Sequence, residues 1–215
     1  INSVIALYSN GQIQEALDTV EALIKDYPNE PLLYNVSGAC YAGLGQLDAA
    51  VKSYDQALAI KPDYAEVHNN IGVTLQDLGR LDAAVKSYKQ AVTITPNYAE
   101  AHNNLGNVLR ELNQLDTALK SYEQAISIKP DYADAHYNLG IVHQEQGQID
   151  NAVKQYEKAV AINPNYAEAH YNLGGTLKEL NQLDAAVKSY EKALAINPDY
   201  ADAHYNLGST LELLG

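Results

Sequence analysis

An asparagine recurs every 34 residues, at Asn70, Asn104, Asn138, Asn172 and Asn206, with Asn2 in the same register and Val36 as the exception. A carboxamide carries two N–H donors and a carbonyl acceptor, the complement a peptide group needs. An evenly spaced row of them can hold an extended backbone while ignoring its side chains. Helix propensity gives no reason for the row, because asparagine is a mediocre helix former. The competing explanations are bonding between neighbouring copies, bonding to water, and recent duplication of the repeat. A second row changes along the chain, Asn35, Asn69 and Asn103 giving way to Tyr137, Tyr171 and Tyr205. If it faces the same way, the N-terminal half is polar and the C-terminal half offers aromatic platforms for apolar side chains. A third row, Ala39, Val73, Asn107, Ile141, Gly175 and Ser209, varies, and ligand choice or drift would produce that equally well.

Other residues could do chemistry in principle. His68, His102, His136, His170 and His204 recur once per 34 residues, with Tyr34 in their register. Stacked copies would stand roughly 10 Å apart, the spacing of packed helices, whereas metal ligands sit about 2 Å from a shared ion. Packing against the base of a helical hairpin is the expected role, and the isolated His143 reads as a surface residue. Acid–base catalysis needs two carboxylates in unlike environments, which identical repeated acids do not provide. No Ser-His-Asp set, phosphate-binding glycine loop or Cys/His metal spacing is present. No catalytic site, metal or cofactor is therefore expected.

The elements that position these rows follow from the same period. Pro28, Pro62, Pro96, Pro130, Pro164 and Pro198 recur at 34, as do Gly38, Gly72, Gly106, Gly140, Gly174 and Gly208, and Ala50, Ala84, Ala118, Ala152 and Ala186. The units run 31–64, 65–98, 99–132, 133–166 and 167–200, with a partial unit 1–30 before them and half a unit 201–215 after. All belong to one predicted domain, 1–215. Each unit reads as two helices; in 99–132 the apolar positions predict them at about 99–112 and 116–128. Asp63, Asn97, Asp131, Asn165 and Asp199 stand where N-caps belong. Glu66, Glu100, Asp134, Glu168 and Asp202 follow in capping-box position. Gly45, Gly79 and Gly147, replaced by Asn113 and Asn181, close the first helices in a left-handed conformation. Asp48, Asp82, Asp116, Asp150 and Asp184 open the second helices, each four residues before a lysine. The recurrent glycine and alanine let the two axes approach, and Tyr122 with Ala125 offers a surface to the next unit.

These proline, small-residue and tyrosine positions resemble the tetratricopeptide repeat along the whole chain, except that Val4, Val20 and Leu23 depart from it at the start. The resemblance implies an all-α, right-handed alpha-alpha superhelix whose concave wall is made of first helices. It places Asn103, Asn104, Asn107, Arg110 and Glu111 mostly on that wall. The asparagine row is also similar to the ladder in the repeat superhelix of O-linked N-acetylglucosamine transferases, where such asparagines contact peptide backbone. Some members of the family grip chaperone C-terminal carboxylates with basic side chains; here the corresponding positions are acidic, Asn or Tyr, which excludes that activity.

The chain has 14 Lys and Arg against 27 Asp and Glu, a formal net charge of −13. That field repels phosphate backbones and anionic lipid, so the expected partner is a protein or peptide, neutral or basic and extended, and neither nucleic acid nor membrane. Phe, Trp and Met are absent while Tyr occurs 17 times, the mark of one small unit copied rather than of an ordinary core. The single Cys40 excludes an internal disulfide and favours a reducing, cytoplasmic compartment. Two further functions are consistent with the sequence. One is the substrate-recruiting arm of a larger enzyme such as a glycosyltransferase, since the pattern stops at Gly215 after a first helix. The other is self-association through Leu207, Leu211 and Leu214.

Overall fold

A computed structural model describes residues 2–215, with side chains from Ser3 onward. The described residues form thirteen helices and no strand: α1 Asn2–Ser9, α2 Ile13–Asp26, α3 Pro31–Gly43, α4 Leu47–Ile60, α5 Ala65–Asp77, α6 Leu81–Ile94, α7 Ala99–Glu111, α8 Leu115–Ile128, α9 Ala133–Glu145, α10 Ile149–Ile162, α11 Ala167–Glu179, α12 Leu183–Ile196 and α13 Ala201–Leu214. None is long and apolar enough to cross a membrane. The fold is all-α, of the superhelical-repeat class, and α1 pairs with α2, α3 with α4, α5 with α6, α9 with α10 and α11 with α12. Two compact units result, Ile1–Val108 and Leu109–Gly215, the division falling inside α7.

Within each unit the repeat's packing rests on one pair of positions sixteen residues apart. A methyl group added to Gly38 would lie 2.4 Å from the Tyr54 ring; at Gly72 it would meet Tyr88 at 2.5 Å, at Gly140 Tyr156 at 2.6 Å and at Gly174 Tyr190 at 2.8 Å. The glycine thus makes room for the tyrosine of its own repeat, and Tyr156 also packs with Leu173 and Leu177 of the repeat that follows. Tyr88, Tyr156 and Tyr190 are at most 1% exposed. In the first hairpin Val4 and Val20 occupy the two registers and share one buried cluster with Leu17 and Leu33. Two medium side chains there replace one absent and one large. The second unit's counterpart core gathers Tyr156, Leu173, Leu177 and Tyr190.

Turn chemistry matches the sequence at one end of the first helices. Gly45, Gly79 and Gly147 have φ of 72°, 69° and 71°, and Asn113 and Asn181 take the same conformation at 56° and 57°. At the other end the expected caps are not formed. The residues preceding the helices are Tyr64, Tyr132, Tyr166 and Tyr200, without side-chain cap bonds. The Asx residue lies one position too early, inside the Pro-Asx-Tyr turn. That turn is closed instead by the first helix: the Nε2–H of His68, His102, His136 and His170 donates to the proline carbonyl six residues back at 3.0 Å, and His204 does so at 2.8 Å. Tyr34 makes the same bond to Pro28 at 3.1 Å. His143 is not on the surface; it is buried, its Nδ1 2.7 Å from Gln148 Oε1 across the following turn. The acids opening the second helices also reach outward: Asp48 pairs with Arg80 at 3.1 Å and Asp116 accepts from Gln146 at 2.9 Å, each in the next repeat.

Candidate functional site

In α5, α7, α11 and α13, whose starts carry the histidine–proline bond, the asparagines of the row face the previous repeat's second row. In the unit ending at Val108, Asn70 Nδ2 donates to Asn35 Oδ1 at 3.0 Å and Asn104 Nδ2 to Asn69 Oδ1 at 3.1 Å. In the unit from Leu109, Asn172 Nδ2 donates to the Tyr137 hydroxyl at 3.1 Å and Asn206 Nδ2 to that of Tyr171 at 2.9 Å. Every one of these bonds spans 35 residues. Asn70, Asn104, Asn138, Asn172 and Asn206 are half-buried, neither free in solvent nor sealed between repeats. For Asn70, Asn104, Asn172 and Asn206 this bond uses one of the amide's two N–H donors. The Asn2 side chain lies outside the described residues.

The second row lies deeper than a ligand-facing row would. Asn35, Asn69 and Asn103 are 5%, 2% and 5% exposed, deeper than the half-buried row beside them. A buried amide must be satisfied, and Asn35 shows how. It accepts from Asn70 and donates to Glu66 Oε1 at 3.1 Å. Glu66, in capping-box position by sequence, thus serves the contact between repeats. Tyr137 and Tyr171 are half-buried and embedded among rings. Tyr137 lies 4.8 Å from Tyr166 and 5.9 Å from Tyr156, and Tyr171 4.8 Å from Tyr200 and 6.0 Å from Tyr190, centroid to centroid. Burial raises the Tyr137 hydroxyl above its ordinary range, with the Glu168 carboxylate adding and the Asn172 bond opposing. Burial also raises Tyr166, and the Asp134 carboxylate that accepts its hydroxyl adds to the effect. Tyr205, in the last helix, is 77% exposed. Asn107 is half-buried and Val73, in its row, is exposed.

Residues outside the expected set hold these helices. Thr74, Thr176 and Thr210 are almost fully buried and donate to the backbone carbonyls of Asn70, Asn172 and Asn206 at 2.9, 2.7 and 2.6 Å. Their place four residues after each asparagine was the available signal. Charge is divided between the helix classes. Each first helix from α5 to α13 carries two acids, opposed only by Arg110 and Lys178, while the second helices α4 to α12 carry eight lysines against nine acids. Arg110 pairs with Glu145 at 3.2 Å, and Lys178 donates to Ser209 Oγ at 2.5 Å.

Comparison with known families agrees with this architecture. Family models described as TPR repeat match residues 38–79, 75–109, 106–147, 144–179 and 174–215. A further one, described as tetratricopeptide repeat, matches 4–30. No curated protein matches the chain significantly. Among solved structures, MamA is 30% identical with a TM-score of 0.70, the alignment covering 77% of this chain and 96% of MamA. PilW, a type IV pilus biogenesis factor, aligns over 98% of this chain and 96% of its own with a TM-score of 0.83 at 24% identity. YrrB, described as a TPR protein with an unusual peptide-binding site, aligns over 86% and 96% with a TM-score of 0.69 at 22% identity.

Proposed function

Because the chain belongs to the tetratricopeptide repeat family, whose members are protein-interaction scaffolds, we propose that its first helices bind an extended peptide segment through the asparagine row. The observation that carries this reading is the geometry of the amides. Asn70, Asn104, Asn172 and Asn206 are each oriented by a bond to the preceding repeat, on half-exposed side chains whose amides carry a second N–H and a carbonyl oxygen. A group already held in its binding orientation loses less entropy when a ligand arrives. Asn70 and Asn104 serve one unit; Asn138, Asn172 and Asn206 serve the other. Asn69 and Asn103 act from behind as acceptors or spacers, and Tyr137 and Tyr171 offer their remaining ring surface. Tyr205 and Asn107 extend the set. The acid excess on the first helices favours a basic or neutral segment over an acidic one. YrrB, by its description, binds peptide on the same fold, which is consistent with this reading.

The test replaces Asn104, Asn138 and Asn172 together with Ala and measures partner capture by pull-down, with circular dichroism as the folding control. Weakened capture by a folded variant is expected, and unchanged affinity for an identified partner would refute the ladder. A second reading, association between copies through α13, rests on its exposed Leu211, Leu213 and Leu214. Light scattering over a concentration range tests it, and a strict monomer at high concentration would exclude it.

A further inference from the structure

Two residues before Asn172, about 200° around α11 by helix geometry, His170 points to the other side of the helix. It lines an open cavity of about 440 Å³ between α10, α11 and α12, together with Val160, Leu173, Lys188, Ser189 and Lys192. The side chain is 6% exposed. Its Nε2 lies 3.0 Å from the Pro164 carbonyl, which can only accept, so Nε2 carries the hydrogen and the neutral ring presents Nδ1 as a bare lone pair. In the preceding repeat the same atom of His136 is occupied by Gln155 at 2.8 Å. At the matching position α12 has Ser189, whose hydroxyl donates to its own helix at Ala185. The exchange of glutamine for serine leaves the His170 Nδ1 facing the cavity.

We infer that this cavity is a second binding site, for a carboxylate of an acidic protein segment, and that the carboxylate enters together with a proton taken from solvent onto His170 Nδ1. The imidazolium and the ammonium groups of Lys188 and Lys192 hold the anion, while Val160 and Leu173 accept an aliphatic neighbour of the acidic residue. The charged groups lining the cavity are Glu157 from α10 and Lys188 and Lys192 from α12, two cations against one anion. The corresponding cavity beside His68 holds Lys86 against Asp55, and Gln90 stands where Lys192 does, so its charges cancel. In the free protein burial and then Lys192 hold the His170 titration below its ordinary value, against the bond to Pro164. An anion that compensates the added charge opposes this lowering, which couples binding to proton uptake.

Imidazole NMR on the full chain tests this, with N-acetyl-glutamyl-leucine amide as the probe and inorganic phosphate as the alternative anion. The dipeptide should raise the His170 midpoint by about one unit and bind about tenfold more tightly below it than above it, while His136 stays unmoved. Ser189→Gln, which rebuilds the arrangement around His136, should abolish both effects. Lys192→Gln, a surface change, should weaken binding and raise the midpoint of the free ring. An unmoved His170, equal movement of all histidines, or full affinity in Lys192→Gln would overturn the site. A response to phosphate without one to the dipeptide would overturn the carboxylate assignment. None of these readouts depends on the asparagine row.

Discussion

Residues up to Val108 and residues from Leu109 onward hold the same asparagine row by different means. In the first unit the supporting atoms are amide oxygens of Asn35 and Asn69, buried and tied into a polar network that includes Glu66. In the second they are the hydroxyls of Tyr137 and Tyr171, whose rings are packed between two further tyrosines each. A buried amide has four bonding positions to satisfy and little apolar surface to contribute. A tyrosine presents the same acceptor at the end of a large apolar body. The donor is kept and its support is exchanged, which separates the part of the repeat that the proposed function assigns to a ligand from the part behind it that varies.

The largest effect that sharpens this contrast comes from the tyrosines over the glycines. Tyr88→Ala and Tyr156→Ala should each cost about 3–5 kcal/mol, since nothing can collapse onto Gly72 or Gly140. Tyr156→Ala also removes a ring neighbour of Tyr137, which adds about 0.5–1.5 kcal/mol. Urea unfolding followed by hydrogen exchange resolved by helix separates the two. Equal losses would mean the aromatic cluster adds nothing to the second unit.

Alkaline pH should distinguish the units next. Burial raises Tyr190 and Tyr200 to about 12, against 10.0 for the free side chain, with the coulombic effect of Tyr171 adding to both. Between those values the native state binds more protons than the unfolded one. Stability is therefore full below about pH 10 and falls as pH rises through about 12. The tyrosines that precede the helices should contribute unequally. Burial raises Tyr166 and its bond to Asp134 raises it further, while Tyr64 is raised by burial but lowered by its bond with Asn35. Tyr166→Phe should flatten the fall of stability with pH more than Tyr64→Phe does, read by circular dichroism at fixed urea alongside tyrosinate absorbance. An equal change in both would remove the distinction.

Much of the fold was legible because a period of 34 residues repeats every geometric constraint. The helix spans, the left-handed closures at Gly45 and Asn113 and the inward glycines and alanines follow from residue type and spacing. The N-caps did not, because a Pro-Asx-Tyr turn competes with an Asx cap one residue ahead of the helix, and the histidine that closes it lies six residues downstream. The depth of Asn69 and Asn103 was hidden for another reason. Neighbouring positions on a helix differ by about 100°, and sequence fixes that angle but not which side the next repeat covers. Val4 and Val20 read as departures although together they fill the space of glycine and tyrosine.

The finest distinction is between the two acceptors themselves. Tyr171→Phe removes a hydroxyl and keeps the ring between Tyr190 and Tyr200, so it should cost about 0.5–1.5 kcal/mol, the worth of one hydrogen bond. Asn69→Leu removes the acceptor of Asn104 and introduces a branched side chain at a position 2% exposed, so about 1–3 kcal/mol is expected. Asn206 and Asn104 both remain half-exposed and can turn to water, which keeps either loss below that of a fully buried orphan. Thermal melts of the two variants read the difference. If Tyr171→Phe proves the costlier, the hydroxyl rather than the ring dominates in the second unit, and the two supports are equivalent in kind.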